Sequence, residues 1–160
     1  MIRAAVLTIS DRGAQGLRED LSGPAARRFL VDLGAQVVAH DLVPDDRSLI
    51  EARLRSWADG GAADLIVTTG GTGLAVRDVT PEATLAVIER PVPGMAEAMR
   101  AAALKTTPLA MLSRAVVGQR GRTLIVNLPG SPRAVVESLE ALRPALPHAI
   151  AIIKGEATEH

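Results

Sequence analysis

Three short runs in this 160-residue chain are continuously apolar and rich in β-branched residues: Ala4 to Ile9, Asp64 to Thr69 and Arg122 to Asn127. A strand that is apolar on successive residues has no solvent face, so it belongs inside a parallel sheet covered on both sides. Stretches with helical patterning separate these runs, over Gly23 to Leu33, Ser48 to Ala58, Pro81 to Arg90, Gly94 to Leu104, Pro132 to Leu142 and Pro144 to Lys154. Gly34 suits the left-handed end of the first helix, and Gln36 to Val43 then reads as a strand completing a βαβ unit. Weaker strand character at Ala115 to Gly118, with a Gly121 turn into Arg122, predicts an antiparallel edge hairpin. The fold class expected is α/β: a mostly parallel open sheet, helices on both faces, one small antiparallel hairpin.

A chain of this length is the size of one domain, expected over residues 1–155 with a polar tail at 156–160. Lys and Arg total 18 against 18 Asp and Glu, so no net field steers the protein towards nucleic acid or an anionic membrane. Phe29 and Trp57 are the only aromatic residues, which removes the usual platform for stacking single-stranded bases. There is no cysteine, hence no disulfide, thiolate ligand or cysteine nucleophile. The opening Met1 to Leu7 lacks the long apolar region of a signal peptide, and no stretch has the length of a membrane span; a cytoplasmic protein is expected.

Ligands of open α/β sheets bind outside the carboxyl ends of the strands, so the residues following each strand carry the functional information. The first strand runs into Ser10-Asp11-Arg12, the second into Pro44-Asp45-Asp46, the third into Gly70-Gly71-Thr72-Gly73, and the last ends at Asn127-Leu128-Pro129-Gly130-Ser131-Pro132. Three glycines and two hydroxyls in Thr69 to Gly73 let backbone N–H groups approach an anion closely. The segment fits neither the Walker A pattern nor the dinucleotide fingerprint. Thr80 reads as a helix N-cap with Pro81 at the first helical position, and Ser131-Pro132 repeats the device. Two helix N-termini and two glycine loops are therefore expected around one pocket suited to several phosphates.

Carboxylates facing phosphates repel them unless a cation lies between. Mg²⁺ answers that need, because it takes one or two carboxylates together with phosphate oxygens and water. Asp45 and Asp78 are the leading candidates, with Asp11 and Asp46 behind them; Asp46 reads more simply as an N-cap before Arg47-Ser48. Arg77 and Arg12 could contact phosphate in a bidentate manner or pair with neighbouring acids. His40, His148 and His160 form neither a metal cluster nor a triad order, and His40 reads as structural.

Taken together, Thr69 to Gly73, Arg77-Asp78-Val79-Thr80-Pro81-Glu82-Ala83-Thr84, Pro93-Gly94, Leu112-Ser113-Arg114-Ala115 and Asn127 to Pro132 resemble the molybdopterin adenylyltransferases, a family with a MogA/MoaB-like three-layer fold that includes the G domain of gephyrin. The resemblance spans nearly the whole chain, from Ser10-Asp11 to Lys154-Gly155. It implies a reaction of molybdopterin with ATP and Mg²⁺ that gives adenylylated molybdopterin and pyrophosphate. It also implies a homotrimer and hand-over of the product to a molybdenum-insertion protein. The aspartates essential in the family fall on Asp45 and Asp78, and Thr72 matches a residue linked to pterin and phosphate handling. Ser10, Asp11, Gly70, Gly71, Gly73, Arg77, Thr80, Ser113, Asn127, Pro129, Gly130 and Ser131 complete the expected substrate-binding set. One departure stands in the helix, where Ala103 replaces a serine that many relatives carry and that is associated with the pterin phosphate. The competing expectation is an inactive paralogue that carries the pterin or serves as a scaffold.

Overall fold

In the computed structural model, which describes residues 1–156, six strands form one sheet in the order β2-β1-β3-β6-β5-β4. The strands are β1 (Arg3–Ile9), β2 (Gln36–Val43), β3 (Leu65–Thr69), β4 (Arg90–Pro91), β5 (Val117–Arg120) and β6 (Thr123–Leu128). The first three and β6 run parallel, while β4 and β5 are antiparallel additions at one edge. Residues 157–160, most of the expected polar tail, lie outside the described residues.

Every residue of β3 and β6 is buried, as continuous apolar runs demand, and their side chains alternate between two cores. Ala4, Val6, Leu65, Val67, Leu124 and Val126 face one core, closed by α2 (Ser22–Asp32), α5 (Pro93–Leu104), α6 (Pro132–Leu142) and α7 (Leu146–Ile153). Ala5, Leu7, Ile66 and Ile125 face the other, closed by Ile50, Leu54 and Trp57 of α3 (Arg47–Asp59) and by Ala83 and Val87 of α4 (Thr80–Val87). Period-two alternation along each strand thus supplies both layers of the α/β sandwich. At the foot of β3, Asp64 is 3% exposed and accepts from the Arg3 N–H at 2.9 Å and from Arg3 Nη2 at 2.9 Å.

Three boundaries differ from expectation, each for a local reason. The helix expected to reach Arg90 stops at Val87, where Ile88 turns extended (φ −69°, ψ 148°). The residue before a proline avoids the helical region, and Pro91 has no N–H for a ladder. Arg90–Pro91 becomes instead a two-residue edge strand against Gln119 and Gly118, the place where a sheet tolerates proline. The last helix begins at Leu146 and not at Pro144, because Pro144 cannot continue the α6 ladder whereas Pro147 falls in a first turn that needs no donor. The weak strand lies at Val117–Arg120, shifted towards Gly121, whose φ of 55° closes the antiparallel hairpin. Two short elements carried no periodic signal: α1 (Asp11–Ala14) and a 3-10 helix over Pro108–Leu112.

From β1 the chain first moves outward to β2 and then back across to β3, so the strand order reverses at β1. The crevice beyond the carboxyl ends of β1 and β3 is the topological switch point, where open sheets place their ligands. Ser10 and Gly70 stand there.

Candidate functional site

The loops at this edge are stitched together by short polar contacts. Ser10 caps α1, its hydroxyl accepting from the Gly13 N–H at 2.9 Å. Asp11 and Asp45 exchange hydrogen bonds: the Asp45 N–H donates to Asp11 Oδ1 and the Asp11 N–H to Asp45 Oδ2, both at 2.9 Å. Arg77 Nε and Nη2 hold Asp11 from the other side at 2.9 and 2.8 Å. The Arg77 guanidinium keeps the Asp11 carboxyl below the usual carboxylate range. Burial pushes the Asp45 carboxyl up, reinforced by the charges of Asp11 and Asp78, and the Asp11 N–H only partly offsets this.

The glycine loop owes its shape to two residues with positive φ, Gly70 at 94° and Gly71 at 71°. A Cβ on Gly70 would lie 2.5 Å from the Ile9 carbonyl oxygen, and one on Gly71 would collide with the Thr80 hydroxyl. Only glycine supplies both the conformation and the clearance. Thr80 is not the N-cap expected of it: Val79 holds that position, and Thr80, fully buried as the first residue of α4, donates its hydroxyl to the Gly70 carbonyl at 2.9 Å. The cause is the tight return of the chain from Asp78, which brings the Thr80 N–H back to the Gly71 carbonyl at 3.2 Å. Ser131 and Asp46 do cap, accepting from Ala134 and Leu49 respectively at 3.2 Å each.

Two cavities meet at this loop. One, of about 590 Å³, is lined by Ser10, Asp11, Asp45, Gly70, Gly71, Asp78, Gly130 and Ser131. Its mouth also carries Ser22 at the start of α2. Besides the single-turn α1, the helix N-termini opening on it are those of α2 and α6, while the first residue of α4 is fully buried. A Cβ on Gly130 would lie 3.5 Å from Gly70 Cα, so the two glycine turns touch. The second cavity, of about 290 Å³, is largely apolar, with Ala96, Met99 and Ala103 among its walls, and is lined at its polar edge by Thr72, Gly73, Ser113, Asn127 and Pro129.

Asp45 and Asp78 stand on either side of the turn. A Cβ on Gly71 would lie 3.1 Å from Asp45 Oδ1, and one on Gly73 2.9 Å from Asp78 Oδ2. Asp78 Oδ2 accepts from the Ala75 N–H at 3.0 Å, and Asp45 Oδ2 from Asp11. Among the described residues nothing hydrogen-bonds to Asp45 Oδ1 or Asp78 Oδ1, which leaves each carboxylate that lines the first cavity one hard oxygen without a protein partner. No group of three or more His, Asp or Glu forms a complete metal cage among the described residues. The donor set fits a cation such as Mg²⁺ that shares its coordination with substrate oxygens and water.

Two expected binding residues have side chains engaged by other protein groups. Asn127 is fully buried, with Nδ2 donating to Thr68 Oγ1 at 3.1 Å and Thr84 Oγ1 at 2.9 Å, and Oδ1 accepting from the Val116 N–H at 3.1 Å. Its amide ties β3, α4 and the β5 approach together, while the residue also lines the second cavity. Arg77 lines neither cavity and is occupied by Asp11. His40 lines neither cavity, and its Nε2 lies 3.4 Å from Asp20 Oδ2 and from the Thr8 hydroxyl, both of which belong to residues lining the first. Sequence reasoning passed over Arg114 as a site residue, although it bonds Gly73, Asp78 and Glu82 together. Its partners are mostly backbone carbonyls, and no side-chain pattern announces them.

Comparison with known proteins gives a consistent picture. The family profile described as "Probable molybdopterin binding domain" matches residues 5–148. The molybdopterin adenylyltransferase of Helicobacter pylori is 46% identical over 156 residues, covering 96% of this chain and 89% of that protein. The molybdopterin adenylyltransferase of Escherichia coli K12 is 37% identical over 172 residues, covering 99% and 88%. Among solved structures, the molybdopterin biosynthesis enzyme MoaB of Thermus thermophilus superimposes with a TM-score of 0.93 at 52% identity, covering 99% of this chain and all of that one.

Proposed function

This chain belongs to the molybdopterin-binding domain family, and from that premise we propose that it is a molybdopterin adenylyltransferase, joining the adenylyl group of ATP to the phosphate of molybdopterin. A phosphate oxygen of the pterin bonds to the α-phosphorus as the bond from that phosphorus to the β-bridging oxygen breaks. The electron pair leaves with pyrophosphate.

The attacking phosphate is already ionised, so no strong general base is needed; alignment and charge neutralisation supply the rate. The observation carrying this reading is the meeting of a polar and an apolar cavity at one glycine turn, with two half-free carboxylates at the junction. The polar cavity suits the triphosphate, received by the amides of Gly71 and Gly130 and the N-terminus of α6. The apolar cavity suits the pterin, with Thr72 and Ser113 at its edge and Ala103 contributing a methyl wall where a serine would offer a hydroxyl. Asp45 and Asp78 would hold Mg²⁺, whose charge would neutralise the phosphate oxygens at the junction.

The protein is further proposed to act as a homotrimer in the cytoplasm and to pass its product to a molybdenum-insertion protein. Leu104, Leu109, Met111 and Leu112 are all exposed and provide an apolar face for subunit contact. Among the described residues no helix is long and apolar enough to cross a membrane. The inactive carrier or scaffold has no observation in its favour, since both carboxylates are in place. The test is pyrophosphate release from ATP, Mg²⁺ and molybdopterin: release that needs all three supports catalysis, and binding without release identifies a carrier.

A further inference from the structure

Arg114 lies between the 3-10 helix and β5 and lines neither cavity, yet it holds the back of the site together. Its backbone N–H donates to the Thr72 carbonyl at 2.9 Å. Its side chain uses all three nitrogens on different acceptors: Nε on the Gly73 carbonyl at 2.8 Å, Nη2 on the Asp78 carbonyl at 2.8 Å and Nη1 on Glu82 Oε2 at 2.5 Å. One planar group thus joins the end of the glycine turn, the residue bearing the second carboxylate and the first turn of α4. Between Gly73 and Asp78 the chain makes an exposed excursion, with Leu74 66% and Val76 96% exposed. Within it, Asp78 bonds only to Ala75, through its N–H at 2.9 Å and its Oδ2 at 3.0 Å. That contact fixes the shape of the excursion; Arg77 on Asp11 and Thr80 on Gly70 and Gly71 anchor it to the site, and among the described residues only the Arg114 fork joins Gly73 to Asp78 directly.

Resting on the adenylyl-transfer reading above, we infer that Arg114 is a positioning residue that sets the Asp78 carboxylate against the Gly70–Gly73 turn. It touches no substrate and acts through backbone carbonyls. A fixed fork with several N–H donors can span three acceptors, whereas a lysine at the same place has one nitrogen on a flexible stem. Displacements of about 1 Å at a reacting centre are enough to lower turnover by about two orders of magnitude.

The test is Arg114→Lys, read by pyrophosphate kinetics, by electron paramagnetic resonance of Mn²⁺·ATP bound to the protein, and by thermal melting. The variant should melt within a few degrees of the parent, lose about tenfold in kcat with the pterin KM within about twofold, and bind Mn²⁺·ATP about fivefold more weakly. Parental kcat together with parental Mn²⁺·ATP affinity would overturn the inference, as would a raised pterin KM at unchanged kcat, which marks direct substrate contact. Should the lysine variant fail to fold, Glu82→Gln decides: weakening the anchor of Nη1 should lower kcat about threefold at constant pterin KM, and a parental rate would overturn the assignment. If the unmodified protein released no pyrophosphate, the adenylyl-transfer reading would fall, while the difference in Mn²⁺·ATP binding would still decide the role of Arg114.

Discussion

Asp11 and Asp45 hold each other by reciprocal hydrogen bonds, each carboxylate accepting the other's backbone N–H at 2.9 Å. The exchange locks the end of β1 to the end of β2 and turns the remaining Asp45 oxygen towards the glycine turn. Arg77 neutralises Asp11 but leaves Asp45 without a cationic partner of its own, an electrostatic debit that a bound cation would remove.

Asp78→Asn is therefore expected to fold and to lose activity. The change is nearly isosteric and the amide oxygen can still accept the Ala75 N–H, but the charge for the cation is gone. Turnover should fall about 100-fold or more, and Asp45→Asn should behave alike. The double variant should be little worse than either single one, as for groups acting as a unit. Steady-state pyrophosphate assays check this, and a multiplicative double mutant would show the two carboxylates working independently.

Gly71→Ala should weaken both stability and catalysis. The residue sits at φ 71°, and the added methyl meets the Thr80 hydroxyl and comes within 3.1 Å of Asp45 Oδ1. The left-handed conformation alone costs about 1–2 kcal/mol for a residue with a Cβ. Chemical denaturation should show at least that loss, and an unchanged midpoint would mean that the loop is not strained by substitution.

Asn127→Ala separates packing from binding. Removing the amide leaves the Thr68 and Thr84 hydroxyls and the Val116 N–H short of partners inside the sheet. A loss of about 2–4 kcal/mol in unfolding free energy is expected, with kcat per folded molecule within about threefold of the parent. A stable variant with a raised substrate KM would restore Asn127 to the binding set.

Stability should also depend on pH through Asp64. Burial by itself would raise this carboxyl, but the N–H and guanidinium of Arg3 and the charge of Lys154 outweigh it, leaving the folded value below the ordinary 3.8. A depressed folded pKa adds stability that is complete above the unfolded value and disappears as pH falls through the folded one. The thermal midpoint of the parent should therefore decline more steeply than that of Asp64→Asn as pH drops below about 4. Parallel declines would remove Asp64 from the acid response.

The parallel strands were legible because burial on both faces imposes a composition, and β2 carried its own glycine signal at Gly34. The capping of Ser131 and Asp46 was legible because a cap is a local bond between near neighbours in sequence. Thr80 misled for the same reason: its residue type promised a cap, while a partner ten positions away, the Gly70 carbonyl, claimed its hydroxyl. Asn127 likewise stands near the end of a strand that opens into a polar motif, yet its contacts reach back 59 positions to Thr68 and 43 to Thr84. Arg114 stood in the Leu112 to Ala115 motif without a role of its own, since two of its three side-chain contacts are bonds to carbonyls that any sequence possesses. What long-range hydrogen bonding decides, local pattern does not reveal.

The most direct test follows the adenylyl group itself. With ATP labelled at the α-phosphate, Mg²⁺ and molybdopterin, the label should appear on the pterin, with one pyrophosphate released for each labelled product and none formed by Asp78→Asn. Label that remained in ATP, or that emerged only as free AMP while the pterin stayed unmodified, would contradict the account.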